Sequence, residues 1–502
     1  MSTFPQPWVS TVSHWQATNR GPTSLYLHNA HAKLPEEADI LIIGAGMMGS
    51  ALSYFLTRPG SYGEGKKIVC VEAKDVASGA SGRNGGHVGP KTYHKWDLLM
   101  KPYPVGSGCS VEEATQVMQN ERDNLDLIES IVKKENLDVD FWRGELLETH
   151  HSADQTALCK RQYAAWLKAR QEYGFTQSHD TRFIDDLKEA EKLSRFKGAT
   201  SVHIRPGGSV HSHKLATALM RCAIESQAAD FSFYSWTPVS GHPHRAGNGG
   251  WRVKTSKGYI QAKKVILCTN AHTPHFFPKD DPIHSHIKPF RGQCALITPP
   301  PTYSGRQSFK HTYNMIDEHY LVQTPMGGIV LGGGLHRLIR EGKTRPEDSF
   351  GQVDDGENSV QAGQTEHFRT FLRDHFVGWG PEGYGEGLTR TWTGILSTVK
   401  DWVPLVGEVP GKKGLSMTAG FAGHGMSRIF AVARGYANTL KTGVWDENLL
   451  PRSFELTEAR LQRTLRAERE FDHNNKEGIR IVNGGVVNVH DVGRKGTRTS
   501  HL

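Results

Sequence analysis

A glycine-rich turn, Gly44-Ala45-Gly46-Met47-Met48-Gly49, directly follows a short apolar run at residues 39–43. A continuous apolar run of this length predicts a parallel strand that is buried on both faces. Residues 50–57 then predict a helix, and residues 68–72 predict a second buried strand. The resulting βαβ unit predicts an α/β fold, and its turn is typical of a site for a dinucleotide phosphate.

The three glycines and the end of the second strand define this nucleotide site further. Gly44 permits the tight turn, Gly46 lets a pyrophosphate approach the backbone, and Gly49 allows the helix to pack closely on the strand. Glu72 is placed to accept hydrogen bonds from ribose hydroxyls and would repel a 2′-phosphate, so NADP is disfavoured while NAD and FAD stay open. The predicted nucleotide contacts are Gly44, Ala45, Gly46, Met47, Met48, Gly49, Glu72 and Ala73.

Two further strings of small residues favour a flavin. Ala77-Ser78-Gly79-Ala80-Ser81-Gly82-Arg83-Asn84-Gly85-Gly86-His87 lets the backbone pass closely along a flat ring, with polar side chains available for phosphate or ring edges. Thr418-Ala419-Gly420-Phe421-Ala422-Gly423-His424-Gly425-Met426-Ser427 lies between a predicted strand and a helix, where its amides favour negative charge. Both strings resemble segments of the glycine oxidase and D-amino-acid oxidase superfamily of FAD-dependent oxidoreductases. The first is most similar to the branch that contains gamma-glutamylputrescine oxidase.

Two shorter signals agree with this resemblance, which covers roughly residues 38–445. Residues 265–271 resemble the family's strand that ends in a small-residue turn, and residues 289–293 resemble its Arg-Gly-Gln strand in the substrate domain. The resemblance implies FAD as the cofactor. The flavin contacts that it implies are Ala80, Ser81, Arg83, Asn84, Gly85, Gly86, His87, Thr269, Asn270, Gly420, Phe421, Gly423, His424, Gly425 and Met426.

The resemblance also implies a mixed α/β fold. A Rossmann-like FAD-binding domain of discontinuous segments is expected to carry an inserted substrate domain with a mixed or antiparallel sheet. We assign residues 36–95, 200–285 and 386–445 to the FAD-binding domain, and 96–199 and 286–385 to the substrate or cap domain. Residues 1–35 are expected to form an N-terminal extension over the body, and 446–502 a C-terminal helix and tail.

The reaction implied by the resemblance is removal of hydride from a carbon that bears an amine. A primary or secondary amine or an amino acid would become an imine, and O2 would be reduced to H2O2. Three alternatives stay open: a dehydrogenase that passes electrons to another acceptor, a tailoring oxidase of a specialised metabolite, and a non-catalytic flavin-binding scaffold. Sequence reasoning names no particular amine.

The candidates for catalytic residues are Arg291, His336 and Trp392. Arg291 offers a bidentate clamp for a carboxylate, with support of the flavin or a neighbouring loop as the equal alternative. His336 lies near where some amine-oxidising relatives carry a lysine that promotes oxygen reduction, although a surface histidine is the commoner explanation. The candidates for pocket walls, each with core packing as the alternative, are Trp392, Tyr313, His319 and Tyr320.

The sequence predicts neither a cysteinyl flavin nor a metal site. Residues 392–401, where certain relatives attach FAD to a cysteine, contain none, and a non-covalent contact is favoured over a histidyl link at His87. Three His-x-His pairs, at 211 and 213, 242 and 244, and 284 and 286, lack a carboxylate or cysteine motif that would complete a ligand set. The six cysteines are far apart and are predicted to be free thiols.

The net charge of +8 is spread along the chain, so neither nucleic acid nor an anionic surface is an expected partner. No apolar run reaches the roughly 18 residues that a membrane helix needs, and the first residues do not read as a secretory signal. The tripeptide Ser500-His501-Leu502 resembles the peroxisomal address Ser-Lys-Leu. A peroxide-producing enzyme recognised by the peroxisomal import receptor is therefore expected, with a cytoplasmic enzyme as the alternative.

Overall fold

Two β-sheets form the centre of the molecule, and each is assembled from separated stretches of sequence. The computed structural model describes residues 10–474 except 104 and 248, together with 479–482 and 485–488. The tripeptide Ser500, His501 and Leu502 lies outside the described residues. Within the described stretches, each helix is too short or too polar to cross a lipid bilayer.

The helices and strands are numbered in chain order. The helices are α1 (His14–Ala17), α2 (Met47–Leu56), α3 (Trp96–Met100), α4 (Val111–Lys134), α5 (Ala153–Glu172), α6 (Leu187–Ser194), α7 (Ser212–Ile224), α8 (Pro282–His286), α9 (Leu335–Arg340), α10 (Ala362–His375), α11 (Ile429–Thr442) and α12 (Glu458–Asn474). The strands are β1 (Glu37–Ile43), β2 (Lys67–Val71), β3 (His87–Val88), β4 (Trp142–His150), β5 (Arg182–Ile184), β6 (Ser201–Ser209), β7 (Asp230–Tyr234), β8 (His244–Arg245), β9 (Trp251–Thr255), β10 (Gly258–Leu267), β11 (Ile287–Thr298), β12 (Thr312–Asn314), β13 (Tyr320–Gln323), β14 (Ile329–Gly332), β15 (Gly387–Val399), β16 (Leu405–Glu408), β17 (Leu415–Ala419), β18 (Ile479–Val482) and β19 (Gly485–Asn488).

The first sheet has the strand order β16-β17-β10-β1-β2-β7, and β9 and β8 extend it beside β10. We call it the parallel sheet because β17, β10, β1, β2 and β7 are neighbours that run in the same direction. In its register, Ile42 lies opposite Ile266 on one side and Cys70 on the other. The predicted βαβ unit is therefore present as β1-α2-β2.

The apolar run in β1 follows from burial on both faces of this sheet. Ile40 and Ile42 pack into a core with residues of α2, α7 and α11. Leu41 and Ile43 point to the opposite face and pack into a second core with residues of β9 and β16. A strand between two cores has no face for polar residues, which is why its sequence does not alternate.

The second sheet has the order β15-β11-β14-β13-β12-β4-β6-β3, with β5 beside β6. We call it the mixed sheet because β12 and β4 run parallel while its other paired strands are antiparallel. One face packs on α6 and α10 through residues such as Leu147 and Leu331. The other face carries Cys294, Val330 and Trp392, which pack against Trp15 from the N-terminal part of the chain. A mixed α/β fold with two sheets is thus confirmed.

Three strands from the predicted FAD-binding segments belong to the mixed sheet. Strand β6 opens the predicted FAD-binding segment 200–285, yet it pairs with β4 along its whole length, from Trp142 opposite Ser209 to His150 opposite Ser201. Strand β15 opens the predicted segment 386–445, yet it pairs with β11 in the mixed sheet. Strand β3, near the end of the predicted segment 36–95, also pairs with β6 in the mixed sheet. The assignment of these segments to two domains stays a prediction.

Candidate active site

The glycine turn lies at the carboxyl end of β1, between that strand and α2. Gly44 has a φ of +102°, and a Cβ on it would lie 2.8 Å from the carbonyl oxygen of Cys268. A Cβ on Gly49 would lie 1.8 Å from the carbonyl oxygen of Gly44. The turn, the helix and β10 therefore approach each other at distances that only glycine permits, as expected of a turn that opens a helix towards a phosphate.

Glu72 follows β2 and reaches back to the turn. Its carboxylate accepts hydrogen bonds from the N–H groups of Ala45, at 2.8 Å, and Lys74, at 3.1 Å. Burial raises the pKa of Glu72, while these N–H groups and that of Ala73 favour its charged form. The carboxylate is thus held beside the turn, where the sequence predicted a partner for ribose hydroxyls.

The small-residue loop, Ala77 to His87, is tied to the same turn. The Oγ of Ser81 accepts a hydrogen bond from the N–H of Met47 at 2.7 Å, and Ala77 donates its N–H to the carbonyl oxygen of Ala45. The side chain of Asn84 bonds within the loop, to the carbonyl oxygen of Ser81 and the N–H of Gly86. The loop therefore keeps a fixed path along the N-terminus of α2.

The flavin loop, Gly420 to Met426, follows β17 and lies at the same edge of the parallel sheet as the glycine turn. The Oδ1 of Asn270, just after β10, accepts hydrogen bonds from the N–H groups of Gly420, at 3.0 Å, and Phe421, at 3.2 Å. The hydroxyl of Ser397 donates to the same oxygen at 2.8 Å. Thr269 lies against the glycine turn, with its Cγ2 at 3.3 Å from the position of a Cβ on Gly44. The predicted segments thus converge at the carboxyl ends of β1, β2, β10 and β17, where open α/β sheets bind ligands.

The convergence of these segments agrees with comparison to known families. A family model described as FAD dependent oxidoreductase, DAO, matches residues 39–439. The chain belongs to the DAO family. FAD is accordingly its cofactor, and the protein is a flavin-dependent oxidoreductase.

Individual relatives of this DAO-family protein are distant. Glycine oxidase from Geobacillus kaustophilus is 22% identical over 388 residues, which cover 77% of this chain and 89% of that protein. Gamma-glutamylputrescine oxidoreductase from Escherichia coli is 24% identical over 237 residues, 47% of this chain and 49% of that protein. The crystal structure of the Geobacillus glycine oxidase has a TM-score of 0.63 at 18% identity and covers 84% of this chain and 99% of its own. At that identity the structural likeness establishes the fold.

The environment of His87 indicates, independently of these comparisons, whether the residues of this chain fit a flavin. Both of its ring nitrogens are buried, and neither makes a well-formed hydrogen bond to the described residues. The ring stands edge-on to Tyr320, with centroids 5.6 Å apart. Burial lowers the pKa of His87 to about 3 against the opposing effect of a backbone group of Tyr313, so the ring is neutral and has at least one nitrogen to offer. Buried polar atoms of this kind call for a partner, and the polar edge of a flavin fits the need.

The guanidinium of Arg83 is bound by protein groups, and a contact of this residue with the flavin stays a prediction. It donates to the carbonyl oxygen of Ser78 at 2.8 Å, to Oγ1 of Thr11 at 2.9 Å and to the carbonyl oxygen of Thr393 at 2.9 Å. Asp355 lies 3.5 Å from its Nε and balances its charge. The side chain therefore joins the small-residue loop to the N-terminal part of the chain and to β15.

The side chain of His424 also binds protein. Its Nε2 lies 3.0 Å from Oε2 of Glu121 in α4, and burial lowers the pKa of His424 to about 4. The same carboxylate forms an ion pair with Arg428 at 2.8 Å. The neutral histidine thus anchors the flavin loop to α4, and the loop is left to offer its backbone to the cofactor.

Arg291 does not face the wall of the mixed sheet as a carboxylate clamp would. Successive residues of a strand point to opposite faces, so Arg291 lies on the face opposite Gly292 and Cys294. Its guanidinium donates to the carbonyl oxygens of Asp354 and Asp348. These bonds tie Arg291 to the loop that carries Asp348 and Asp354, and its role as a carboxylate clamp stays a prediction.

Trp392 and Tyr320 are brought together on the face of the mixed sheet that also meets His87. Trp392 lies opposite Cys294 and donates its Nε1–H to the carbonyl oxygen of Arg83 at 2.8 Å. The hydroxyl of Tyr320 lies 3.2 Å from the Sγ of Cys294. We call His87, Cys294, Tyr320 and Trp392 the wall.

The other predicted pocket residues lie elsewhere. Tyr313 belongs to the core on the opposite face of the mixed sheet, where its ring packs on Phe309 and Phe376. His319 is buried against Phe371, with its Nε2 2.7 Å from Nε2 of His367. Both residues therefore serve packing, because their positions along the chain turn their side chains away from the wall.

His336 lies at the start of α9, and its side chain is 59% exposed. Its Nε2 is 3.9 Å from Oε2 of Glu318, which also pairs with Lys95. It does not reach the wall residues within hydrogen-bonding distance in the described structure. The role in oxygen reduction stays a prediction.

Two functional supports in α4 escaped sequence reasoning. Asn124 accepts hydrogen bonds from the N–H groups of Phe430 and Ala431 and donates to the carbonyl oxygen of Met426. With Glu121, it holds the flavin loop and the start of α11. The signal was present, since these polar residues share the buried face of an amphipathic helix with Leu125.

Proposed function

We propose that this protein is an amine or amino-acid oxidase. A carbon–hydrogen bond next to nitrogen would lose a hydride, the substrate would become an imine, and O2 would take up two electrons and two protons to give H2O2. The substrates named for the relatives, glycine and gamma-glutamylputrescine, support nitrogen as the element next to the reacting carbon.

The observation that carries this proposal is the uncharged wall beside the flavin-binding edge. His87 is neutral because its pKa is lowered to about 3 by burial. Burial raises the pKa of Cys294 to about 11 and that of Tyr320 well above its ordinary value, so both groups stay protonated. Trp392 has no charge to lose.

An uncharged wall that is buried or half-buried favours a neutral amine over an ammonium ion, because burial penalises the charged form. The neutral amine has the lone pair that an imine needs. FAD, when bound, supplies the two-electron acceptor. The residues that would hold it are those of the glycine turn, Glu72, the small-residue loop, Asn270 and the flavin loop, while the wall excludes water and orients the carbon–hydrogen bond.

Anaerobic titration tests the proposal. The purified flavoprotein is mixed with glycine, an N-methyl amino acid, D-amino acids and gamma-glutamyl amines, and the flavin absorption is followed. We expect at least one member of this panel to bleach the flavin, with a rate that rises with pH as the amine loses its proton. Failure of every amine, while dithionite still bleaches the same protein, would contradict the proposal.

The electron acceptor needs its own measurement. After bleaching by a substrate, air is admitted and the return of the flavin absorption is followed together with H2O2. Rapid return with one H2O2 per substrate supports an oxidase. Slow return in air and rapid return with a quinone would instead make the protein a dehydrogenase.

A further inference from the structure

The N-terminal segment, Thr11 to Asn19, inserts into the body of the molecule. Ser13 and Trp15 are 0% and 3% exposed, whereas Val12, next to Ser13, is 47% exposed. The segment precedes the first strand of the parallel sheet and contributes no strand to either sheet. Its buried side chains therefore have a role other than completing a β-sheet.

Three of these side chains bind carbonyl groups of the small-residue loop. The Oγ of Ser13 donates to the carbonyl oxygen of Gly82 at 2.5 Å, and Nε1 of Trp15 donates to that of Asn84 at 2.6 Å. Nε2 of Gln16 donates to the carbonyl oxygen of Ser78 at 3.3 Å. The segment thus satisfies acceptors on one side of the loop.

The side chain of Ser81, in the same loop, is bound to the nucleotide site. Ser81, between Ser78 and Gly82, accepts the hydrogen bond from Met47 at the start of α2. The loop is consequently held from two sides, by the glycine turn and by the N-terminal segment. A run of Gly, Ala and Ser has much backbone freedom to lose, so it depends on such external bonds for a single conformation.

The indole of Trp15 adds a packing surface. A Cβ on Gly86, which has a φ of +78°, would lie 2.7 Å from Cζ2 of Trp15. On its other side, Trp15 packs in the cluster with Cys294 and Trp392. The ring therefore fills the space between the small-residue loop and the wall.

Thr11 links the N-terminal segment both to the small-residue loop and to the mixed sheet. Its carbonyl oxygen and Oγ1 both accept hydrogen bonds from Arg83, and its Oγ1 also accepts from the N–H of Thr393 in β15. Arg83 of the loop donates hydrogen bonds to the N-terminal segment, while Ser13 and Trp15 of the segment donate hydrogen bonds to the loop. The contacts are reciprocal and link the loop to the mixed sheet.

We propose that Ser13 and Trp15 are positioning residues of the FAD site, which fix the small-residue loop in the conformation that receives the cofactor. They act through the loop and not by contact with substrate. The proposal goes beyond the proposed function, because it concerns retention of FAD and holds for any substrate or electron acceptor.

The test compares S13A, W15F and W15A with V12A, a matched control that changes the exposed neighbour. The dissociation constant of FAD is measured on apoprotein by flavin fluorescence, and the visible circular dichroism of the bound flavin is recorded. W15F removes one hydrogen bond, to the carbonyl oxygen of Asn84, and S13A removes two, to the carbonyl oxygen of Gly82 and from the N–H of Gln16 at the start of α1. Each variant should weaken FAD binding by about fivefold to tenfold. W15A removes the ring as well and should weaken it further, while V12A should bind as the parent does.

The rate of limited trypsin cleavage measures how well the small-residue loop is held in place, since Arg83 is the one trypsin site between Ala77 and His87. We expect faster cleavage after Arg83 in S13A and W15F than in the parent and V12A, and protection by FAD. The thermal midpoint of the apoprotein should stay within about 3 °C of the parent for both conservative variants.

Parental FAD affinity and cleavage rate in S13A and W15F would overturn the proposal. A lower thermal midpoint of these apoproteins without a change in FAD affinity would also overturn it, because the residues would then be merely structural. These measurements involve no substrate, so a failure of the proposed amine oxidation leaves their outcome unaffected.

Discussion

The carboxyl edge of the parallel sheet and the wall of the mixed sheet form the two halves of the site by different means. At the edge, glycines bring backbone groups so close that a Cβ added to Gly49 would lie 1.8 Å from a carbonyl oxygen, and Glu72 is held by backbone N–H groups. At the wall, Cys294 and Trp392 are buried, His87 and Tyr320 are half-buried, and all four side chains are uncharged. Backbone shape should therefore decide cofactor binding at the edge, whereas side-chain chemistry should decide turnover at the wall.

The largest effect is expected at Gly49. The methyl group of Gly49→Ala would overlap the carbonyl oxygen of Gly44, and an overlap of backbone atoms costs about 3 kcal/mol, or about 150-fold in FAD affinity. Fluorescence titration of the apoprotein measures the change. Gly21→Ala is the control, since no atom lies within 4 Å of its Cβ. An unchanged affinity in Gly49→Ala would mean that the edge does not rely on close backbone approach.

The next effect is expected for Glu72→Gln, which keeps the shape of the side chain and removes its charge. Hydrogen bonds to a charged group contribute about 1.5 to 3 kcal/mol, so FAD affinity should fall by about thirtyfold. The same titration measures it, with the exposed Glu64→Gln as the charge-matched control. Equal FAD affinities of Glu72→Gln and Glu64→Gln would mean that the charge of Glu72 does not contribute to FAD binding.

His87→Asn tests the wall. Because the buried ring nitrogens of His87 fit the polar edge of a flavin, we expect FAD affinity to fall by about tenfold, and kcat/KM at saturating FAD to fall by a similar factor. Steady-state kinetics and FAD titration are run side by side, with the exposed His31→Asn as control. Parental FAD affinity in His87→Asn would contradict the predicted contact between His87 and the flavin.

The smallest effect at neutral pH is expected for substitution of His424, whose side chain binds protein. Its effect is on the pH dependence of the free energy of unfolding. Burial lowers its pKa from 6.5 to about 4, so the unfolded chain takes up the proton first and stability falls as pH drops from about 6.5 towards about 4. Urea unfolding of the parent and His424→Gln over this range should differ in slope by up to about 1.4 kcal/mol per pH unit, the parent being steeper. Identical slopes would contradict the assigned burial of the neutral ring.

Much of the edge could be predicted from the sequence because its determinants are local. The apolar run of β1, the glycine turn and α2 are adjacent in the chain, and each limits the next. Glu72 could be placed because it ends the following strand. The small-residue loop could be recognised because its composition and its position after Glu72 are both unusual.

The wall and its supports depend on distant contacts. Arg83 is bound to Thr11, 72 residues away, and to Thr393, 310 residues away. The sidedness of Arg291 and Tyr313 follows from strand register, which is decided by partners such as Ile395 and Leu147. The N-terminal segment gave no periodic signal because it is short and its buried side chains bind a loop rather than a regular helix or strand.

Identification of the cofactor tests the central claim most directly. The purified protein is denatured, the released small molecules are separated, and FAD is counted against chains. We predict one FAD for each chain, and far less from Gly49→Ala than from Gly21→Ala. A protein that purifies without flavin and takes up no FAD as apoprotein would contradict the assignment of these loops to a flavin site.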